Sequence, residues 1–520
     1  MTSGRDCPRF ANGTPQVGEE GALRLRQLFQ PFVNFQVTNA ENPDIVHITT
    51  DSRDVESGSL FVAVRGHTVD GHQFARQAVD RGAVAVMVEE PVADVPASIP
   101  QVVVPDTRHW SALVADRLFG HPSRAIRVIG VTGTNGKTTV THIVRHLLDS
   151  AGRKAGLIGT VGAKLGHTSW PLPNTTPEAV EVHRWLRRFV DEGATHAVME
   201  VSSHALVERR AAGVSFACAA FTNLTQDHLD FHGTMERYAA AKALLFSRLG
   251  NGAGDNPARS VYAVINADDP WSWVMAEASA APILTYGIER AAHVTARDVR
   301  LSADGARFAV ESPAGAFEVE TPLIGRFNVY NTLAAVAIAL VEGLTPAEIQ
   351  EGIRSYPSVP GRMERIDEGQ PFSVFVDYAH TPDGLENVLT AVREFAPARV
   401  LVVVGCGGDR DRTKRPKMAE VAVRLADRAI FTSDNPRSED PLAILADMRQ
   451  GVDPAQSHRV REEVDRRLAI EMAIGEAEPG DVVVIAGKGH EDYQIIGAEK
   501  RHFDDREEAR RAIRARYGRN

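Results

Sequence analysis

RVIGVTGTNGKTT, residues 127–139, is the stretch from which the rest of the sequence can be read. An apolar run, Arg127 to Val131, leads into Gly133-Thr134-Asn135-Gly136-Lys137-Thr138-Thr139. Val140, Ile143, Val144, Leu147 and Leu148 then recur at helical spacing until Gly152 stops them. Strand, glycine-rich turn and helix in this order make a phosphate cradle. Small residues let backbone N–H groups close around a polyphosphate, the positive end of the helix faces it, Lys137 bridges its terminal oxygens and Thr138 offers a hydroxyl to Mg2+. The spacing departs from GxxxxGK[ST], because Val131 stands five positions before Gly136 and the glycines fall at 130 and 133 instead. A ligand-free turn is the bland alternative, and the strand before and helix after argue against it.

Outward from the loop, 520 residues at roughly 150 per domain predict three or four domains. With 43% hydrophobic and 24% charged residues the composition is that of an ordinary globular protein. The net charge of −10 argues against nucleic acid as a partner. No apolar run nears the roughly 20 residues that cross a bilayer and the first residues lack a signal-peptide centre, so a cytoplasmic protein without a membrane partner is expected. Cys7, Cys218 and Cys406 lie far apart with no CxxC, which argues against a disulfide framework or structural zinc.

The predicted class is α/β throughout. Residues 1–22 read as a disordered lead-in, 23–124 as a small α/β domain, 125–356 as a domain built on a parallel sheet, and 357–520 as a doubly wound, Rossmann-like domain. In the first, strands are predicted at Leu60 to Val64 and Ala83 to Val88 around a helix from Gln73 to Arg81. In the second they fall at Ala197 to Val201, Ala217 to Thr222 and Val261 to Ile265. In the third, RVLVVVGCGG, RAIFTSDNP and DVVVIAGKGH each deliver polar residues at a strand's end. If the loop holds ATP, Mg2+ needs further ligands, and Glu200 and His228 follow strands of the same domain. Helix capping is the plain alternative for both.

In this order GTNGKTT, MEVSSH, NLTQDHLDFH, AAAKALLF, GRFNVYN, PGRMERI, DYAHTPD, DNPR and GKGHEDYQ resemble the Mur ligases of peptidoglycan synthesis, over about Thr50 to Gly497. The resemblance implies a UDP-sugar-binding N-terminal domain, a central P-loop ATPase-like domain and a C-terminal domain for the incoming amino acid. It is nearest to the members that add meso-2,6-diaminopimelate to UDP-N-acetylmuramoyl-L-alanyl-D-glutamate (UDP-MurNAc-L-Ala-D-Glu) through an acyl phosphate, with ATP and Mg2+, as monomers.

Carried over by residue, the resemblance assigns Gly133, Thr134, Asn135, Gly136, Lys137, Thr138, Thr139, Asn174, Asn328 and Asn331 to ATP. It assigns Lys137, Glu200, His228 and Lys242 to catalysis, and Thr138, Glu200, His228 and a CO2-carbamylated Lys242 to metal. Thr50, Ser52, His67, Thr68, Val69, Thr175, Thr176, Ser202 and Arg210 would hold the UDP-muramoyl dipeptide. Glu208, where the family often has Gln, would oppose an anionic substrate and is left unassigned. Asp377, Tyr378 and His380 read equally as nucleotide contacts and as strand-end caps.

Arg410, Asp434, Asn435, Pro436, Arg437, Gly487 and Glu491 would form the amino-acid pocket. There Arg437 meets the far carboxylate of diaminopimelate through two parallel hydrogen bonds and Glu491 meets its ammonium. The alternatives are a ligase of the same superfamily with L-lysine or another acceptor, and a catalytically silent nucleotide-binding scaffold.

Overall fold

The computed structural model describes residues 22–66, 69–249, 260–302, 304–357 and 359–518, so the expected lead-in, apart from Ala22, lies outside the described residues with Cys7. The fold is α/β. The chain divides into two compact units, one of residues 1–133, 144–222 and 228–284, the other of residues 134–143, 223–227 and 285–520.

Besides a two-stranded ribbon of Leu23–Arg24 and Asp44–Ile45, the first unit holds two sheets among the described residues. The smaller runs Gln36–Val37, Gln101–Val103, Ala83–Val88, Ser59–Val62, His47–Thr49. The helix expected from Gln73 to Arg81 starts as a 3-10 turn, Gly71–Phe74, and becomes α-helical only at Ala75–Asp80. Asp70 causes the tighter start by accepting from His72 N at 3.0 Å, two residues on.

The larger sheet of this unit runs Thr168–Trp170, Gly162–Leu165, Ala155–Gly159, His196–Glu200, Arg127–Thr132, Phe216–Phe221, Tyr262–Asn266. From Ala155–Gly159 onward it is parallel as far as Tyr262–Asn266. Its strands fall one residue from their sequence-predicted positions. Arg127–Thr132 lies between His196–Glu200 and Phe216–Phe221, so Gly133 and Glu200 leave the same edge.

His47 ties the smaller sheet to helix Ala179–Asp191. Its Nε2 accepts from Arg184 Nη2 at 3.0 Å and its Nδ1 meets Ser59 Oγ at 2.9 Å, while the same Arg184 nitrogen donates to Ile48 O at 2.8 Å. Burial, and then the Arg184 charge, bring the imidazole down to about 3.

In the second unit a six-stranded sheet runs Glu364–Arg365, Ser373–Asp377, Val482–Ala486, Val400–Cys406, Arg428–Ser433, Val460–Glu462. All but the first strand are parallel. Val400–Cys406 is buried along its whole length, as the continuous apolar run VLVVVGC requires of a strand covered on both faces. Helices Pro382–Phe395, Lys414–Leu425 and Pro441–Arg449 cover one face, and Arg466–Glu476 and Asp505–Tyr517 the other. Three antiparallel strands, Val294–Ser302, Gly305–Ser312 and Gly315–Thr321, belong to the same unit. Thr345 and Glu348 close a capping box on helix Pro346–Arg354. Cys218 and Cys406 are both buried.

Arg466 and Asp505, both 0% exposed, pair through Nε–Oδ1 and Nη2–Oδ2 contacts of 2.7 Å. The guanidinium also donates to Ser433 O (3.3 Å) and Ala486 O (2.9 Å), the last residues of two parallel strands. One cation thereby fixes the ends of the two strands that flank Val400–Cys406.

Asp505→Asn leaves that cation uncompensated, so it is expected to lower stability by about 3–5 kcal/mol, read from urea unfolding. A second expectation concerns pH. His47 binds its proton less well folded than at the ordinary 6.5, so its contribution is complete above pH 6.5 and is lost as pH falls from there toward about 3. Thermal unfolding of the wild type between pH 7 and 4.5 is expected to drop more steeply than that of His47→Gln.

Candidate active site

Gly133 and Gly136 turn the chain out of strand Arg127–Thr132 and into helix Lys137–Ser150. At Gly136 φ is +86°, and an added Cβ would lie 2.3 Å from Asn331 Oδ1, so both backbone and space demand glycine. Asn331 Nδ2 donates to Asn328 Oδ1 (2.9 Å), and Asn328 Nδ2 to Ile324 O (2.9 Å), which holds the two asparagines of GRFNVYN rigidly against the turn. Thr134 N donates to Asn223 O at 2.8 Å and Asn135 N to Asn223 Oδ1 at 2.9 Å. Val140 N is bonded back to Gly136 O, so the opening of the helix faces the loop. Lys137 Nζ folds over the loop to Thr134 O at 2.9 Å. Sequence reasoning missed Asp383, whose Oδ2 accepts from Asn135 Nδ2 (2.7 Å) and Thr225 Oγ1 (2.9 Å). Its signals were its place at the end of DYAHTPD and as the acid after Pro382 at a helix start.

In the first unit, Glu200 is buried at its strand's end. Its Oε1 accepts from Thr160 N (2.8 Å) and its Oε2 from Thr160 Oγ1 (3.1 Å), and Thr160 Oγ1 meets Thr175 Oγ1 at 3.1 Å. Thr176 Oγ1 donates to Glu200 O and accepts from Ser202 N. Ser202 caps helix Ser203–Val207. The expected dipeptide residues Thr175, Thr176 and Ser202 are thus one connected group with Glu200.

Arg210 joins that group by donating to Thr176 O at 3.0 Å. Glu178 and Glu208 hold the other sides of its guanidinium at 3.1 and 2.6 Å. Arg108 lies 3.6 Å from Glu178 and 4.0 Å from Glu208. The carboxylate of Glu208 is therefore a partner of Arg210 and is neutralised by it. Glu178 and Arg108 carry no local motif and were not anticipated.

Lys242, 1% exposed, donates from Nζ to Gly133 O at 2.8 Å and lies 4.4 Å from the centre of the Tyr238 ring. The rings of His228 and His232 approach Tyr238 at 6.3 and 4.8 Å, and His204 lies 4.7 Å from His228. Burial, followed by the charges of His204 and Lys242, brings His232 down to about 4. Among the described residues no group of three or more His, Cys, Asp or Glu is arranged to hold a metal. The carboxylate of Glu200 and the imidazole of His228 are suitable donors, whereas the ammonium of Lys242 would repel a cation and suits one only as a carbamate.

Ser52 is buried with Oγ on Gln77 Oε1 at 3.2 Å, Thr50 is half-buried, and Asn174 and Val69 are exposed. His67 and Thr68 lie outside the described residues. Asp377 resolves toward the capping alternative, since Oδ1 accepts from Ala379 N (2.8 Å) and Oδ2 from Met363 N (2.7 Å).

The amino-acid residues gather at the strand ends tied by Arg466. Asn435 Nδ2 donates to Glu491 Oε2 at 3.0 Å, Asn435 Oδ1 accepts from Ile495 N at 2.9 Å, and Gln494 Nε2 donates to Asp434 O at 2.8 Å. Arg437 Nη1 donates to Gly408 O at 2.7 Å. Gly487 has φ +118°, and a Cβ there would lie 3.0 Å from Asp434 Oδ2. Arg410 is exposed and donates to Asp409 O. Burial, with the Asp434 charge, raises the Glu491 carboxyl, while Lys488 and Asn435 oppose the shift. Lys488, which no motif reasoning singled out, is 0% exposed with Nζ 3.3 Å from Glu491 Oε2.

Three families of known domains match the chain: "Mur ligase family, catalytic domain" over residues 44–118, "Mur ligase middle domain" over 131–339, and "Mur ligase, glutamate ligase domain" over 361–489. The chain is 53% identical over 494 residues to the UDP-N-acetylmuramoyl-L-alanyl-D-glutamate--2,6-diaminopimelate ligase of Geobacillus thermodenitrificans (strain NG80-2), covering 95% of this chain and 100% of that protein. A solved structure of a ligase of that name has a TM-score of 0.68 at 36% identity, covering 96% of this chain and 100% of the other. A folylpolyglutamate synthase of Mycobacterium tuberculosis, complexed with ADP and AMPPCP, shares the fold at a TM-score of 0.61 and 20% identity, over 79% of this chain and 95% of the other.

Lys137→Ala is expected to cut nucleotide-dependent turnover by at least about a hundredfold, because it removes the cation of the loop that the sequence leads one to expect on the terminal phosphate. The thermal unfolding transition, measured in parallel, is expected to stay in place.

Proposed function

Because the chain belongs to the Mur ligase family and is a ligase, we propose that it joins meso-2,6-diaminopimelate to the D-glutamate γ-carboxylate of UDP-MurNAc-L-Ala-D-Glu at the expense of ATP. The observation that supports this reading is the tie between Asn435 of DNPR and Glu491, which joins an acid to the loop that carries Arg437. Diaminopimelate ends in both a carboxylate and an ammonium, and a guanidinium with a carboxylate is the pair that answers both. The similarity along nearly the whole chain to ligases named for this amino acid supports it.

The γ-carboxylate attacks the terminal phosphate of ATP, giving an acyl phosphate and ADP. The amine then attacks the acyl carbon, and inorganic phosphate leaves from the tetrahedral intermediate. Gly133 to Thr139 hold the polyphosphate with Lys137 on its terminal oxygens, Asn174, Asn328 and Asn331 serve the nucleotide, and Thr138 offers its hydroxyl to the accompanying cation. Mg2+, for which Glu200, His228 and a carbamylated Lys242 are the fitting donors, supplies screening between two approaching anions. Thr175, Thr176, Ser202 and Arg210 bind the dipeptide, and Thr50, Ser52, His67, Thr68 and Val69 its UDP end. Arg410, Asp434, Asn435, Pro436, Arg437, Gly487 and Glu491 bind the amino acid. This division of labour follows three domains, 23–124, 125–356 and 357–520, in a monomer acting in the cytoplasm. Among the described residues no helix is long and apolar enough to cross a membrane.

The deciding assay is phosphate release with ATP, the UDP-muramoyl dipeptide and either diaminopimelate or L-lysine, and a preference for lysine refutes the reading. Arg437→Lys, which keeps the charge but loses the two-pronged geometry, is expected to weaken kcat/KM for diaminopimelate by at least about 1.5 kcal/mol. Unchanged kinetics would remove Arg437 from the pocket.

A further inference from the structure

Lys488 follows Gly487 at the end of strand Val482–Ala486, in a turn where Glu491 N donates to Lys488 O at 2.9 Å. The turn brings the two side chains of this i, i+3 pair onto one side. Nζ of Lys488 lies 3.3 Å from Glu491 Oε2, 3.4 Å from Asn435 Oδ1 and 3.9 Å from Asp434 Oδ1, with the Tyr493 ring centre at 5.4 Å. A wholly buried ammonium is costly unless paired, and here it is set between the two acids assigned to the incoming amino acid.

The charge inventory of the pocket then closes. Among the side chains that are buried or half-buried there, Asp434 and Glu491 contribute two negative charges and Lys488 and Arg437 two positive ones, the nearby Arg466 is neutralised by Asp505, and Arg410 is exposed, so that water and salt screen its charge. The part of the pocket shielded from water is neutral, and so is the far end of diaminopimelate, which carries one ammonium and one carboxylate. The far end of L-lysine carries an ammonium alone and would leave the pocket with one unbalanced positive charge.

Resting on the proposed function, we infer that Lys488 is a specificity-determining positioning residue. Its buried ammonium holds the Glu491 and Asp434 carboxylates in place and brings the pocket to zero net charge, so that a zwitterionic side-chain terminus is accepted over a purely cationic one. Mispairing of buried charge is what gives such a site its discrimination.

The test measures kcat/KM for diaminopimelate and for L-lysine by ATP-dependent phosphate release in wild type, Lys488→Met, Lys488→Gln and Lys488→Arg, with thermal unfolding of each. Removing the charge leaves the pocket at −1, matched to lysine. The diaminopimelate-to-lysine ratio is therefore expected to fall by at least about tenfold in Lys488→Met and Lys488→Gln, mainly through KM, and Lys488→Arg is expected to restore most of it. Lys488→Gln keeps hydrogen-bond donors in the same place, so it separates charge from packing if Lys488→Met does not fold. A wild-type preference for diaminopimelate that persists unchanged in Lys488→Gln overturns this inference and leaves the proposed function standing. A wild type that prefers lysine or uses neither amino acid overturns both.

Discussion

Arg466 carries a charge to a place water does not reach, and the strand ends that carry Asp434, Asn435 and Gly487 are organised by the way that charge is satisfied. Asp505 takes two of its donors, and the carbonyls of Ser433 and Ala486 take others. Those carbonyls end two parallel strands, and the residues that follow them are Asp434-Asn435 and Gly487-Lys488. Neither loop can move without disturbing a buried ion pair, which couples pocket geometry to the stability of the domain core. Gly487 belongs to the same arrangement, since a Cβ there would crowd Asp434.

In the first unit the equivalent role falls to carboxylates. Glu200 is held at both oxygens by Thr160, and its carbonyl accepts from Thr176. Strand end, threonine pair and the Ser202 cap thus form one hydrogen-bonded piece. Arg210 is braced by Glu178 and Glu208, so its guanidinium is oriented before any ligand arrives. The carboxylate at Glu208, awkward as a neighbour of an anionic substrate, makes physical sense as the counter-charge that aims a cation.

The parts legible in the sequence are those with a local period. The helix after the phosphate loop shows itself through Val140, Ile143, Val144 and Leu147, and the strands of both large sheets through apolar runs ending in polar residues. The register of those strands drifts by a residue because the hydrogen-bonding ladder, not the apolar boundary, sets where pairing stops. Residues whose meaning depends on distant partners were hidden. Lys488 sits between two glycines with no period of its own to show that it is buried, and it is Asp434, Asn435 and Glu491 that converge on it. Arg466 stands at a helix start, where a basic residue is unremarkable, and its partner is 39 positions on. Asp377 was open between two readings, and only the approach of Met363 N shows its carboxylate spent on the backbone.

Arg437 has φ +52°, a left-handed conformation rarely used by a residue with so large a side chain. The bonds from its N–H to Ile495 O and from Gly497 N–H to its own carbonyl clamp it there. The direction in which the side chain leaves the backbone is therefore set by the main chain, and the bond from Nη1 to Gly408 O holds its far end. The segment from Ile495 to Gly497 acts as a jig for a residue far away in sequence, so a change in that hairpin, touching no ligand, can spoil the aim of the arginine.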